Sequence, residues 1–472
     1  MICRILLLFS LLLPTSLWAQ SSDAITPQRA IELALSRNDE LSYRRFEREI
    51  SRARIDVQKR KFFPSFGLSF SQNDSVTYGT ADSRVKKAAL NINQLVFDGG
   101  DLSYQYKSLK RQLYLDDIET MTLKDTISLQ VLDACTNLLK NETILEIQHS
   151  TQEVIQQQIA ITKREERLGM ATEIDLLELQ TELGELKLSI ASTIRNRQRQ
   201  SFQLSRLLEV ENDDLPTLSG TINKSYQGFV LAETSLERSI AEYTRIALTR
   251  NPDLIQSRFT LEDARESRRQ ACSGWIPSIG TKLELSMSGE EYPLHEFGYS
   301  LSVNFDFGIP AMPAQTGLTL GKSNPRERSL SATASARPLD ELEAVLSKKS
   351  AGLELAQTYS SAEDQKRNLR FDIREALYDI KTQTETLKVH RERIYVLEKK
   401  IQILAKQVEL GEATRIDLVS AQIELAEQRV SLLEAAVELY SLETSLLQTC
   451  GIRDIADTVD AIILKSSGDI DE

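Results

Sequence analysis

The sequence predicts a mainly α-helical fold with a small β part: very long helices packed as a coiled-coil barrel wall, plus four membrane-type β-strands per protomer. Three observations predict it. The chain repeats one plan twice, each half holds a long stretch free of helix breakers, and four short runs alternate apolar and polar residues.

The repeat is read first. Residues 168–183 (LGMATEIDLLELQTEL) and 410–425 (LGEATRIDLVSAQIEL) agree at ten of sixteen positions, at an offset of about 242. ALSRNDEL (34–41) matches ALTRNPDL (247–254) at an offset of about 213, and the same offset pairs Pro64 with Pro277. Matches in the same order twice indicate duplication. The offsets differ because the second half carries an insertion, residues 308–338, rich in Gly, Pro and Ser. By composition it is expected to be a loop.

From about Leu102 to Leu168 there is neither Pro nor Gly, and Leu339–Leu410 is interrupted only by Gly352. Helices of that length are rods of roughly 100 Å and call for coiled-coil partners. The returning helices show the seams. Ile416, Val419, Ile423, Ala426, Val430, Leu433, Val437 and Tyr440 step by three and four, and Leu418, Ala421 and Leu425 form a second stripe. Two stripes imply neighbours on two sides, as in the wall of a tube.

The strands alternate with period two. Phe66, Leu68 and Phe70 face one way, as do Ala88, Leu90 and Ile92, then Ile279, Thr281, Leu283, Leu285 and Met287, and finally Phe297, Tyr299, Leu301, Val303, Phe305 and Phe307. Ser, Asn, Gly and charged residues take the opposite face, the pattern of a barrel strand with lipid outside and water inside. Four strands cannot enclose a lumen, and lipid tolerates no open edge, so several chains must share one barrel.

Expected boundaries follow. Residues 1–19 read as a signal peptide, with Arg4 before the apolar run Ile5–Leu13 and Ala19 at the cleavage site. The first repeat covers 20–232, with a β-hairpin at about 63–97 and a helical hairpin at about 102–210. The second covers 233–452, with a β-hairpin at about 277–307, the insertion, and a helical hairpin at about 339–450. Residues 453–472 form an acidic tail.

The net charge of −12 argues against a nucleic-acid partner. Cys135, Cys272 and Cys450 are no disulfide framework, although a Cys135–Cys450 pair stays open. His149, His295 and His390 lack metal-ligand spacing, and no nucleotide, hydrolase or zinc motif appears, so neither enzyme nor cofactor is expected. The rival reading is an exported periplasmic coiled-coil adaptor or scaffold without a pore.

These features together resemble the TolC family of outer-membrane efflux proteins. The likeness rests on the duplicated plan, the ALSRNDEL and ALTRNPDL openings, the strand end QLVFDGG (94–100) and the paired LGxAT-x-IDL turns. The resemblance implies a homotrimer with a 12-stranded barrel in outer-membrane lipid and a helical tunnel in the periplasm. It implies an equatorial belt built from residues near 26–60, 236–270 and 211–235 and from the tail. It also implies docking on a periplasmic adaptor protein and an inner-membrane pump, for efflux or type I secretion. The LGxAT-x-IDL turns become periplasmic tips. Gly169 and Gly411 are expected to end the descending helices, and Thr172 and Thr414 to cap the returning ones, with adaptor docking at these turns. Asp175, Glu178, Arg415 and Asp417 are the expected entrance residues, the aspartates as acidic rings that also serve their helix caps. Where the family's tip latch has a Tyr and an Arg, this sequence has Val408 and Ala413, so a different set of contacts, drawing on Arg415 and Glu412, is expected to hold the gate.

Overall fold

In a computed structural model, residues 24–464 are described apart from 76–77, 79–82, 212–216, 232–235, 274, 310–311, 325–326, 338–342, 454–457 and 459–461. The expected signal peptide therefore lies outside the described residues, as does most of the tail.

Each half opens with two helices broken at an asparagine. In the first, α1 (Pro27–Arg37) meets α2 (Asp39–Arg60); in the second, α5 (Leu236–Arg250) meets α6 (Pro252–Cys272). The Asn38 side chain accepts from the Leu41 backbone N–H at 3.0 Å, and Asn251 from Leu254 at 3.0 Å. The repeated opening is thus an N-cap, which satisfies a donor that a helix start leaves unpaired.

The long rods are α3 (Asp101–Arg167), α4 (Glu173–Leu208), α7 (Glu343–Leu410) and α8 (Arg415–Thr449). The 67 residues of α3 make a helix about 100 Å long. Its start uses the QLVFDGG segment: Asp98 accepts from the backbone N–H of Gly100 (2.9 Å) and Leu102 (2.5 Å), while Gly99 and Gly100 take φ of 71° and 97°.

The rods lie side by side in the order α4, α3, α8, α7. Ile373, Leu377, Ile380 and Leu387 of α7 are fully buried against Leu433 and Leu439 of α8. Nearer the tips, Ile155 of α3, Leu179 of α4 and Val419 of α8 form a separate seam. Each such side chain contributes about 1.5–3 kcal/mol. Both stripes of α8 are covered, one neighbour on each side, as the heptads predict. The outer rods keep apolar margins in the single chain: Ile174, Leu177 and Phe202 on α4, and Phe371, Tyr378, Val396 and Ile403 on α7 stay exposed.

The sheet holds β1 (Ser65–Ser75), β2 (Ser83–Phe97), β4 (Ser278–Gly289), β5 (Glu296–Phe307), β6 (Ala314–Asn324) and β7 (Glu327–Ala336), all antiparallel in that order; a separate short strand, β3 (Thr221–Ile222), belongs to the connector. The four expected strands are adjacent, with β2 of the first half paired to β4 of the second. Two expectations are corrected. The described part of the 308–338 insertion forms paired strands and not a loop, and among the described residues the sheet has six strands and not four. Small Gly, Ser and Thr residues read as loop by composition, yet they are also what the polar face of a crowded sheet accommodates.

The connector between the halves is clasped to the rods. β3 pairs with β8 (Ile463–Leu464), and the buried Glu443 of α8 accepts from the Tyr226 hydroxyl and from the backbone N–H of Phe229 and Val230, both at 2.8 Å. Gly228 has φ 81°, and a Cβ there would stand 2.8 Å from a Glu443 oxygen, so only glycine fits. Cys135, Cys272 and Cys450 are free thiols, which closes the question of a Cys135–Cys450 bridge in this structure.

Candidate functional site at the helical tips

Both tips are built alike. At the first, Gly169 N–H bonds Glu166 O (2.9 Å) and Met170 N–H bonds Glu165 O (2.8 Å); at the second, Gly411 bonds Val408 O (3.2 Å) and Glu412 bonds Gln407 O (2.8 Å). This is a Schellman ending, and it needs the left-handed glycines, here at φ 73° and 75°. The chain then turns straight into a capping box. Asp175 N–H donates to Thr172 Oγ1 (3.2 Å) and Thr172 N–H donates back to Asp175 (2.8 Å); Thr414 and Asp417 do the same at 3.2 and 3.1 Å. The paired LGxAT-x-IDL motif therefore encodes one turn twice: a glycine stop, then a threonine start.

Of the expected entrance residues, Asp417 and Glu178 are exposed at the tip and Asp175 is half-buried. Hydrogen bonds from the Thr414 side chain and backbone hold the Asp417 carboxyl below its ordinary pKa. A depressed carboxylate favours the folded state above its unfolded pKa, and that benefit is lost only as pH falls through the lower folded value. Asp417 thus stays charged at neutral and mildly acidic pH.

Of the two residues expected to hold the gate, Arg415 reaches across to the other tip. It forms a two-pronged ion pair with Glu165 at the end of α3, Nε to Oε2 at 2.8 Å and Nη2 to Oε1 at 2.7 Å. This bond ties the second tip to the first. Reasoning from sequence missed Glu165, because its partner lies 250 positions away and the helical repeat carries no signal for it.

A second feature was also missed. Glu178 and Glu182 line a shallow groove between α4 and α8 with Ile416 and Ser420. Burial, and then the charges of Glu185, Glu427 and Glu178, push the Glu182 carboxyl above its usual range. The tip is therefore acidic on two helices, while Leu168, Met170, Ile174 and Leu410 leave apolar surface exposed around the turns.

Among the described residues, no cluster of His, Cys, Asp and Glu is placed to hold a metal. Among the described residues, no helix is long and apolar enough to cross a membrane.

The sequence profile of the outer membrane efflux protein family matches residues 30–209 and 244–451. The outer membrane protein TolC of Escherichia coli K12 is 22% identical over 261 residues, 54% of this chain and 50% of that protein, so this chain spans about half the length of the curated relatives it matches. Among solved structures, CusC superposes with a TM-score of 0.70 at 16% identity, covering 90% of this chain and 92% of its own. The MtrE outer membrane channel of Neisseria gonorrhoeae, solved in its open state, gives 0.68 at 14% identity, covering 91% and 90%.

Proposed function

This chain belongs to the outer membrane efflux protein family, and from that premise we propose that three copies close into a channel-tunnel, a passive exit duct for an efflux pump or type I secretion system. The strands cross the outer membrane and the helices reach into the periplasm. One observation carries this reading: a single protomer ends in bare margins on both of its layers. β1 is exposed along its whole length, as are the described side chains of β7. The apolar margins of α4 and α7 stay exposed among the described residues. Lipid does not tolerate the first, and water penalises the second. Aromatic residues near both ends of the sheet, Trp275 and Phe97 at one and Phe297 and Tyr292 at the other, fit the girdles of an outer-membrane barrel.

The helical tips then face the periplasm. Arg415–Glu165 pairs hold the entrance narrow, and Asp417, with Asp175 and Glu178, lines it. The exposed apolar turn residues and the rigid Gly169–Thr172 and Gly411–Thr414 corners are the surface for a periplasmic adaptor, which links the duct to an inner-membrane pump. Substrate choice rests with that pump.

The direct experiment is extraction of the full chain from membranes. A detergent-soluble trimer that conducts in planar bilayers is the expected result. A water-soluble protomer without conductance would sink the reading in favour of an adaptor or scaffold. Within the pore, Asp417→Asn keeps the cap shape but removes three charges from one axis. Cation preference at low salt should fall by roughly tenfold, the lower end of what charged clefts achieve. Because Asp417 is a stronger acid than usual, the wild-type preference should persist as pH drops through the ordinary carboxylate range. An unchanged permeability ratio would remove the acidic ring from the account.

A further inference from the structure

We propose that the inserted hairpin β6–β7 is part of the membrane barrel, so that each protomer supplies six strands and the closed ring has eighteen. The proposal rests on the trimeric duct above.

Register is the first argument. β6 continues the ladder of β5 over nine consecutive pairs, Tyr299↔Lys322 to Phe307↔Ala314, and β7 continues β6 from Lys322↔Arg328 to Ala314↔Ala336. The faces stay in phase across every strand. One row runs Phe66, Ile92, Leu283, Leu301, Leu320, Leu330, apolar from edge to edge. The row beside it, on the other face, runs Gly67, Asn91, Glu284, Ser300, Gly321, Ser329. A hairpin meant for water has no reason to keep this phase. On the polar face the new strands are stitched to the old: Ser302 and Thr319 hydroxyls lie 3.0 Å apart, and Gly317 leaves room for Asn304 and Thr333, whose polar atoms would stand 2.9 and 3.1 Å from a Cβ.

Length and parity agree. The strands hold 11 and 10 residues, the span a tilted strand needs to cross a bilayer. One hairpin leaves and returns on the same side, so α7 still starts where a four-strand protomer would start it. Six alternating strands also leave β1 and β7 running in opposite directions. The β7 edge can therefore accept β1 of a second copy in antiparallel fashion, and every edge is satisfied. Lys322 and Arg328, the basic pair on the lipid-side row, sit near the far end of the hairpin, where long cationic side chains can reach headgroups.

Were the hairpin outside the barrel, β5 would have to surrender all nine pairs before meeting a neighbour. With eighteen strands in place of twelve, barrel diameter rises about 1.5-fold.

The test uses the wild-type full chain, purified as a trimer and imaged by electron cryomicroscopy. Eighteen strands in the barrel is the expected count, and a twelve-stranded ring with β6–β7 outside it would overturn the proposal while leaving the duct intact. Failure to find any membrane trimer would overturn the duct and this inference together. As a second measurement, single cysteines are placed in a Cys272→Ser background and treated in proteoliposomes with a membrane-impermeant maleimide. Ser331→Cys and Thr333→Cys should label, and Leu330→Cys and Ala332→Cys should lose labelling. Even reaction at all four positions would overturn the proposal.

Discussion

Glu443→Ala should destabilise the protein by about 3–5 kcal/mol, read as a lower urea midpoint, because it strands buried donors. Glu443 has no solvent exposure, and its two oxygens receive a phenol and two backbone N–H groups. Truncation leaves all three facing a cavity that none of them can escape. Burial raises the Glu443 pKa, with the bonds from Tyr226, Val230 and Phe229 pulling it back. A folded pKa above the unfolded one means the folded state holds the proton more tightly, so this group favours folding most in acid and less as pH rises through the folded value. Glu443→Gln keeps one acceptor and should fall between wild type and Ala, and Tyr226→Phe should lose about 1 kcal/mol. A midpoint shift in Glu443→Ala no larger than that of Tyr226→Phe would show that the clasp is not what holds the connector.

The second large effect is expected at the tips. Arg415→Ala or Glu165→Ala should raise open probability by about a hundredfold. The two side chains remain 32% and 25% exposed, so screening limits each pair to about 1 kcal/mol. In the proposed trimer three pairs would act on one aperture, and about 3 kcal/mol corresponds to roughly that factor. Single-channel recording measures it. The exchange Arg415→Glu with Glu165→Arg should restore closure, which a merely structural role would not predict. If both alanine variants gate like wild type, the pair is not the latch.

Much of the fold was legible because its signals are local or periodic. The glycine stops and the threonine starts are each decided within four or five residues, and each occurs twice; the repeated ALSRNDEL and ALTRNPDL openings showed as a match, and the Asn38 and Asn251 caps inside them emerged only in the structure. The heptads of α8 announced two neighbours, and two flank it. What stayed hidden depended on distant partners or small side chains. Glu165 reveals itself only when two tips separated by 250 positions meet. Glu443 reads in sequence as one more charge on a long amphipathic rod, and nothing nearby hints at the tyrosine and backbone that claim it. The inserted hairpin does alternate, but its apolar positions are mostly alanine and threonine beside three leucines, too faint a contrast to outweigh a Gly/Ser-rich composition.

The pairing of β2 with β4 joins the two halves by the same kind of bond that would join one copy to the next. A ring of three is then a ring of six half-units, nearly interchangeable around the axis. The extra hairpin belongs to only one kind of half-unit, so in the proposed trimer it replaces that near-hexagonal equivalence with alternation at the bilayer. Any partner gripping the rods meets six similar grooves. Any molecule approaching from outside the cell meets three.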